Sequence, residues 1–138
     1  MRLRKDAKVE ILRRIPLFSR CSKAELGQVA GIADELSFGV EETLIKEGDR
    51  GREFFVIVEG TAEVRRRGRI VRALVDGDFF GEIALVAEMP RTATVSTTSP
   101  TRVLVIVDRD FKRLLRDSPS IQIKVIEQLA ARLAPEVL

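Results

Sequence analysis

Apolar residues recur along this chain with two periods, and the switches between them divide it into three parts. Val9, Leu12 and Ile15, joined by Ile11, stand at helical spacing as far as Pro16, whose ring cannot continue a helix. Ser22-Lys23-Ala24-Glu25 is a capping-box pattern, in which a Ser hydroxyl and a Glu three residues later satisfy each other's backbone N–H groups. With Leu26, Val29, Ala30 and Ala33 behind it, it predicts a helix over 23–34. From Leu36 the period drops to two, through Phe38 and Val40, and strand-like runs follow at 43–46, 54–58, 62–66, 70–75, 94–98 and 102–107. Turn formers separate them: Glu47-Gly48-Asp49, Gly60, Arg67-Gly68 and Asp76-Gly77-Asp78. After Val107 the helical period returns. Asp108 can cap a helix that buries Phe111, Leu114 and Leu115. Ser118-Pro119 starts another, with Ile121, Val125, Ile126, Leu129 and Leu133 on one apolar face and Pro135 as its stop.

Many short strands at regular spacing, between helical ends, predict an α+β chain that is mainly β. The expected architecture is an antiparallel eight-stranded β-roll or jelly roll, flanked by N-terminal helices and two C-terminal helices. One domain is expected over 1–138, with a helical part at 1–34, the roll at 35–107 and the last helices at 108–134. Its 138 residues, 45% apolar and 33% charged, have the size and composition of one globular core.

Histidine changes the picture most, because there is none. Its absence removes Ser-His and Cys-His nucleophiles and every His-ligated metal centre. Cys21 is the only cysteine, so neither an internal disulfide nor a Cys-based metal site can form. The chain has no Gly-rich phosphate loop of the Walker or dinucleotide type. A net charge of +3 is too small to imply nucleic-acid binding. No apolar run reaches the roughly 20 residues that span a bilayer, and the charged start from Met1 to Lys8 has no signal-peptide core behind it. A cytoplasmic location is the expectation.

The candidate chemistry lies between 77 and 95, where the strand pattern is interrupted. Gly81 permits a tight turn and close approach of a ligand to the backbone. Glu82 to Val86 can form one helical turn whose N–H groups point outward, an arrangement suited to an anion. Arg91 follows Glu82 by nine residues, past Met89-Pro90, and its planar fork of donors matches a phosphate. Glu82 would repel that phosphate unless it faces elsewhere, and a sugar hydroxyl is the natural partner for a group that only accepts. An anion clamp beside a hydroxyl acceptor is the chemistry of a ribose phosphate. One carboxylate and one arginine, without metal or histidine, do not make a hydrolytic site, so no enzyme is expected.

Phe80-Gly81-Glu82-Ile83-Ala84-Leu85 followed by Pro90-Arg91-Thr92-Ala93-Thr94-Val95 resembles the phosphate-binding cassette of the cyclic-nucleotide-binding family. That family includes catabolite activator proteins, regulatory subunits of cyclic-nucleotide-dependent kinases and gated channels. Leu44 to Asp49 and Phe55 to Gly60 match as well, and the resemblance runs from about residue 10 to 133, with the cassette at 79–95. It implies that Arg91 pairs with the cyclic phosphate and that the backbone N–H groups of Ala84 and Thr92 complete the cradle. Glu82, with Gly81 alongside, would accept from the ribose 2′-OH. Ile45, Val64, Val71 and Leu74 would line the sugar and base. The implied ligand is cAMP or cGMP, cAMP being favoured, although a hydroxyl at Thr92 can also contact a guanine amino group. No cofactor or metal is implied.

The resemblance further implies that the cassette and the C-terminal helices move together, with Leu114, Leu115, Ile126 and Leu129 packing the hinge, and that binding is relayed to an effector protein or domain that the sequence does not name. No DNA-reading helix-turn-helix is expected after the last helix, and the cover of the base is unassigned: Arg132, Leu133, Val137 or a partner could supply it. The alternative is a domain that keeps the fold, has lost the ligand and acts as a protein-interaction module, through the Arg65–Arg69 hairpin or the last helix.

Overall fold

The computed structural model of the chain describes residues 5–82 and 87–137, without the side chains of 128, 129 and 132–137. Helix α1 covers Lys5–Arg13, a 3-10 turn follows at Pro16–Phe18, and α2 covers Lys23–Ile32. Eight strands come next: β1 Asp34–Phe38, β2 Thr43–Ile45, β3 Glu53–Glu59, β4 Ala62–Arg66, β5 Arg69–Leu74, β6 Phe79–Phe80, β7 Thr94–Thr97 and β8 Thr101–Val107. Helices α3 (Asp108–Asp117) and α4 (Pro119–Val137) close the described chain. All described strand pairs are antiparallel, in two four-stranded sheets of order β1-β8-β3-β6 and β2-β7-β4-β5. This is the mainly β roll with helices at both ends that the periodicity predicts.

The inner strands of the first sheet, β3 and β8, are buried on both faces while β1 at its edge is largely exposed, and β3 shows why. Its run Phe54-Phe55-Val56-Ile57 is wholly buried, as expected of a strand covered on both sides rather than one. Alternate residues serve different cores. Phe54 and Val56 join Phe79, Leu104, Ile106 and the helix residues Leu12, Phe18, Val29 and Phe111 in one cluster. Phe55 and Ile57 join Leu74, Phe80, Val95 and Val103 in a second, between the sheets. Phe54 stacks on Phe111 of α3 at 4.3 Å between ring centroids, and Phe55 stacks on Phe80 at 4.9 Å. The tip of the β4–β5 hairpin is Arg67-Gly68, both at positive φ, the two-residue turn whose twist matches antiparallel strands.

Strand β6 has two residues, too short to carry a period. Three local expectations change. Asp108 occupies the first turn of α3, where its Oδ1 accepts from the Arg109 N–H at 2.7 Å, while Val107 is the cap. Helix α4 does not stop at Pro135 but runs to Val137; a proline so near a helix end removes only one backbone hydrogen bond. On the same helix Ile121 and Val125 are buried, whereas Ile126 is 62% exposed. Four residues bring a helix back to the same side and five do not, so Ile126 turns to solvent beside Ile123 and does not pack the hinge. Leu114 is buried and Leu115 packs against the core; the side chain of Leu129 lies outside the described residues. No helix among the described residues is long and apolar enough to cross a membrane.

The capping box forms as read: Glu25 N–H donates to Ser22 Oγ at 3.1 Å and Ser22 N–H to Glu25 Oε1 at 2.8 Å. The other carboxylate oxygen accepts from Ser118 Oγ at 2.7 Å and Ser120 Oγ at 3.3 Å. One side chain therefore caps α2 and ties it to the α3–α4 junction. The Ser22 N–H first, and the Ser118 hydroxyl next, hold the Glu25 carboxyl below its ordinary value of 4.5. A depressed carboxyl stabilises the fold above its unfolded pKa and ceases to as pH falls through its folded one. Glu25→Ala is expected to cost about 1–2 kcal/mol near pH 7, as cap removal does. Urea unfolding of both proteins at pH 7 and pH 3 should show the gap narrowing in acid; an equal gap at both would mean that the ionised form does not matter.

Candidate functional site

Arg91 stands where β7 has not yet begun, and its main chain is pinned before its side chain is placed. Its N–H donates to Asp49 O at 2.8 Å, and its own carbonyl accepts from Gly48 N–H at 2.9 Å. Pro90 bridges Arg50, and Glu47 N–H donates to Thr94 Oγ1 at 2.9 Å. The Glu47-Gly48-Asp49 turn thus holds the Arg91 segment as a short extra ladder. Gly48, at φ +90, allows the turn to close.

Arg91 as a residue is 5% exposed, and its guanidinium lies over the end of β3. One terminal nitrogen donates to Gly81 O at 2.9 Å and the other to Glu53 O at 2.7 Å. Five N–H donors are available on this group, so the seat does not exhaust it. Burial pushes the Arg91 pKa down, and the nearby carboxylates of Glu53 and Glu82 act against that. A buried cation with acids about it is held ready for an anion, because the desolvation that pairing usually costs has already been met in folding.

Gly81 is a requirement of this seat. Its φ is +96, and a Cβ there would lie 2.9 Å from Glu53 O and 3.0 Å from a terminal nitrogen of Arg91. Glu82, next in sequence, is fully buried. Sequence reasoning pairs Gly81, Glu82 and Arg91, and the structure brings the three together. Thr92 is half-buried, and its carbonyl accepts from Arg66 Nε at 3.3 Å. Ala84 lies outside the described residues, as do the side chains of Arg132, Leu133 and Val137.

The four apolar candidates do not share one environment. Ile45 and Val64 are partly buried against the inter-sheet core, and Leu74 is inside it at 1% exposure. Val71 is 58% exposed. It is the extra residue of a bulge, since Val64 pairs with Arg72 and Arg65 with Ile70, and a bulge breaks the alternation that would have carried it inward. Sequence reasoning misses Glu53 as a partner of Arg91. No signal could have revealed it, because Glu53 contributes a backbone carbonyl, which every residue has. A separate hollow of about 520 Å³ opens beside the same turn, between Gly48, Arg50, Met89, Pro90 and Lys112. The Arg91 guanidinium does not line it.

Comparison with known proteins gives consistent matches. Residues 35–118 match the family model described as the cyclic nucleotide-binding domain. A cAMP-dependent protein kinase regulatory subunit of Mycosarcoma maydis is 40% identical over 115 residues, covering 77% of this chain and 22% of that protein. A putative potassium channel protein of Rhodopseudomonas palustris is 31% identical, covering 86% of this chain and 30% of its own length. The chain thus spans less than a third of these relatives. Among solved structures, one described as Sp-2Cl-cAMPS bound to PKAR CBD2 superposes with a TM-score of 0.83 at 28% identity, covering 97% of this chain and 92% of that one. The regulatory domain of Toxoplasma gondii PKA with cAMP gives 0.83 at 25% identity, covering 93% and 50%.

Gly81→Ala is expected to unseat Arg91, by strain at positive φ and by contact with the Glu53 carbonyl. The loss of stability should be roughly 1–3 kcal/mol, read from chemical unfolding. A neutral change would mean that the seat relaxes at no cost.

Proposed function

The chain belongs to the cyclic nucleotide-binding domain family, and on that premise we propose that it captures a purine 3′,5′-cyclic monophosphate, cAMP in preference to cGMP, as a regulatory sensor rather than an enzyme. The observation that carries this is the buried Arg91 guanidinium, seated over Gly81 with Glu82 beside it. Arg91 would hold the cyclic phosphate through the donors that face away from its two carbonyl partners, with the N–H groups of Ala84 and Thr92. Glu82 would accept from the ribose 2′-OH. Ile45, Val64, Val71 and Leu74 would flank sugar and base, Val71 only if the ligand covers the exposed start of β5. The names of the kinase relatives, and the cAMP or cAMP analogue in the titles of the solved neighbours, support cAMP as the messenger.

The relay we propose runs through β3. Glu53 offers its carbonyl to Arg91, and the next residue, Phe54, stacks on Phe111 of α3. A phosphate held on the outward donors would shift the guanidinium's contact with Glu53 O, and with it β3 one peptide away from the helix contact. The ligand moves α3 and α4 only by its differential affinity for their two arrangements. The exposed Ile123 and Ile126 of α4 would meet the effector, a protein or domain such as the rest of a kinase regulatory assembly. No step of catalysis is part of the proposal.

Isothermal titration with cAMP and with cGMP tests it. Saturable binding of cAMP is expected, and Arg91→Ala should weaken it by about 2–4 kcal/mol, the usual loss for half of a buried charge pair. Unchanged affinity in that variant would remove Arg91 from the phosphate site. Silence toward both nucleotides from folded protein would leave a ligand-free interaction module. Incubation with cAMP should yield no AMP.

A further inference from the structure

Four strands end the two described sheets. Strands β6 and β2 have two and three residues, too few to seat another strand. Strands β1 and β5 have five and six, and each pairs on one side only, β1 with β8 and β5 with β4. A long edge strand presents a row of main-chain donors and acceptors to any strand that fits it.

The two edges carry opposite charge. Residues 65–72, at the tip of the β4–β5 hairpin and the start of β5, hold five arginines and no acid. Residues 34–42, β1 and the turn after it, hold Asp34, Glu35, Glu41 and Glu42 and no base. Part of this charge is used within the chain: Arg65 meets Glu63 at 2.9 Å, and Glu35 meets Arg102 at 3.5 Å. Arg67 and Arg69 on one edge, and Asp34, Glu41 and Glu42 on the other, are exposed. Apolar side chains stand among them, with Ile70 56% exposed on β5 and Leu36 46% exposed on β1.

Charge on an edge strand ordinarily keeps it from pairing. A basic row guards β5 against another β5, and an acidic row guards β1 against another β1. Neither guards against the other, because opposite charges on adjacent strands favour the pair. Laid antiparallel with Ile70 beside Leu36, the two strands bring Arg67 beside Gly39, close to Glu41 and Glu42. The exposed arginines then meet the exposed acids, and the two apolar side chains cover each other.

We propose that the β5 edge docks on the β1 edge of a second copy of this chain, so that copies associate head to tail. Two different patches meet in such a contact, so a pair leaves one of each unused, and association continues to a ring or a row of copies. The contact is separate from the Arg91 seat and stands whether or not a nucleotide binds there.

Sedimentation velocity of the chain from about 1 μM to about 1 mM, a span that takes in weak contacts, tests this. Association is expected, and it should weaken at about 1 M salt, where the screening length falls to about 3 Å. Ile70→Glu sets an acid against the acidic edge, and Leu36→Lys sets a base against the basic one. Each variant alone should be monomeric. Mixed in equal amounts they should form a one-to-one dimer and nothing larger, because the first keeps a sound β1 edge and the second a sound β5 edge. Both positions are exposed, and melting curves confirm that the variants fold; Arg69→Glu with Asp34→Lys repeats the test without altering an apolar residue. An unaltered chain that stays monomeric at about 1 mM would overturn the proposal, leaving the charges as guards alone. Association retained in full by either variant would overturn it in favour of another face, such as Ile123 and Ile126 of α4. Monomeric variants whose mixture also stays monomeric would overturn the head-to-tail arrangement.

Discussion

A guanidinium cannot be taken out of water without company, and much of the site follows from how Arg91 is given it. Its first partners are two backbone carbonyls, those of Gly81 and Glu53, and not a carboxylate in direct contact. Carbonyl dipoles fix the orientation of the fork without neutralising its charge, so the field of the cation remains available to an anion. A carboxylate in the same place would compete with a phosphate far more strongly. The surrounding architecture serves that seat. The Glu47–Asp49 turn anchors the main chain of Arg91, positive φ at Gly81 brings one carbonyl in, and the end of β3 supplies the other.

Strand β3 gains importance from the same arrangement. It is buried on both faces, with Phe54 turned to the helices and Phe55 to the roll. Such a strand has little freedom to shift on one side alone, because close-packed cores on both sides transmit displacement. The site and the helical layer are thus neighbours through one strand, although they lie on opposite sides of it.

How far the sequence could be read depended on whether the information sat in side-chain type or in backbone shape. Period-two runs located most strands within two residues, and Ser22 with Glu25 announced the start of α2. Gly81, Glu82 and Arg91 were legible because their chemistry is rare in that combination. Three things were hidden. The bulge that leaves Val71 exposed depends on the pairing of β4 with β5, which no local pattern encodes. Ile126 was misplaced because it adjoins Val125 in an apolar run, and only the geometry of the packed helix decides which of two neighbours faces inward. Glu53 was invisible for a deeper reason, as a carbonyl carries no signature of residue type.

That last feature bears on how such a site varies and how it is surveyed. A pocket whose inner wall is built from peptide groups can exchange the side chains above them without altering the donors and acceptors beneath. Position 53 can drift through many residues and still present the same oxygen to Arg91. Substitution scanning would therefore register sensitivity at Gly81 and Arg91 and, at 53, only the loss of a nearby charge, and would undercount the groups that form the site. In such an architecture, tolerance to mutation reflects where the chemistry resides in the polymer, and it is no measure of a position's distance from the ligand.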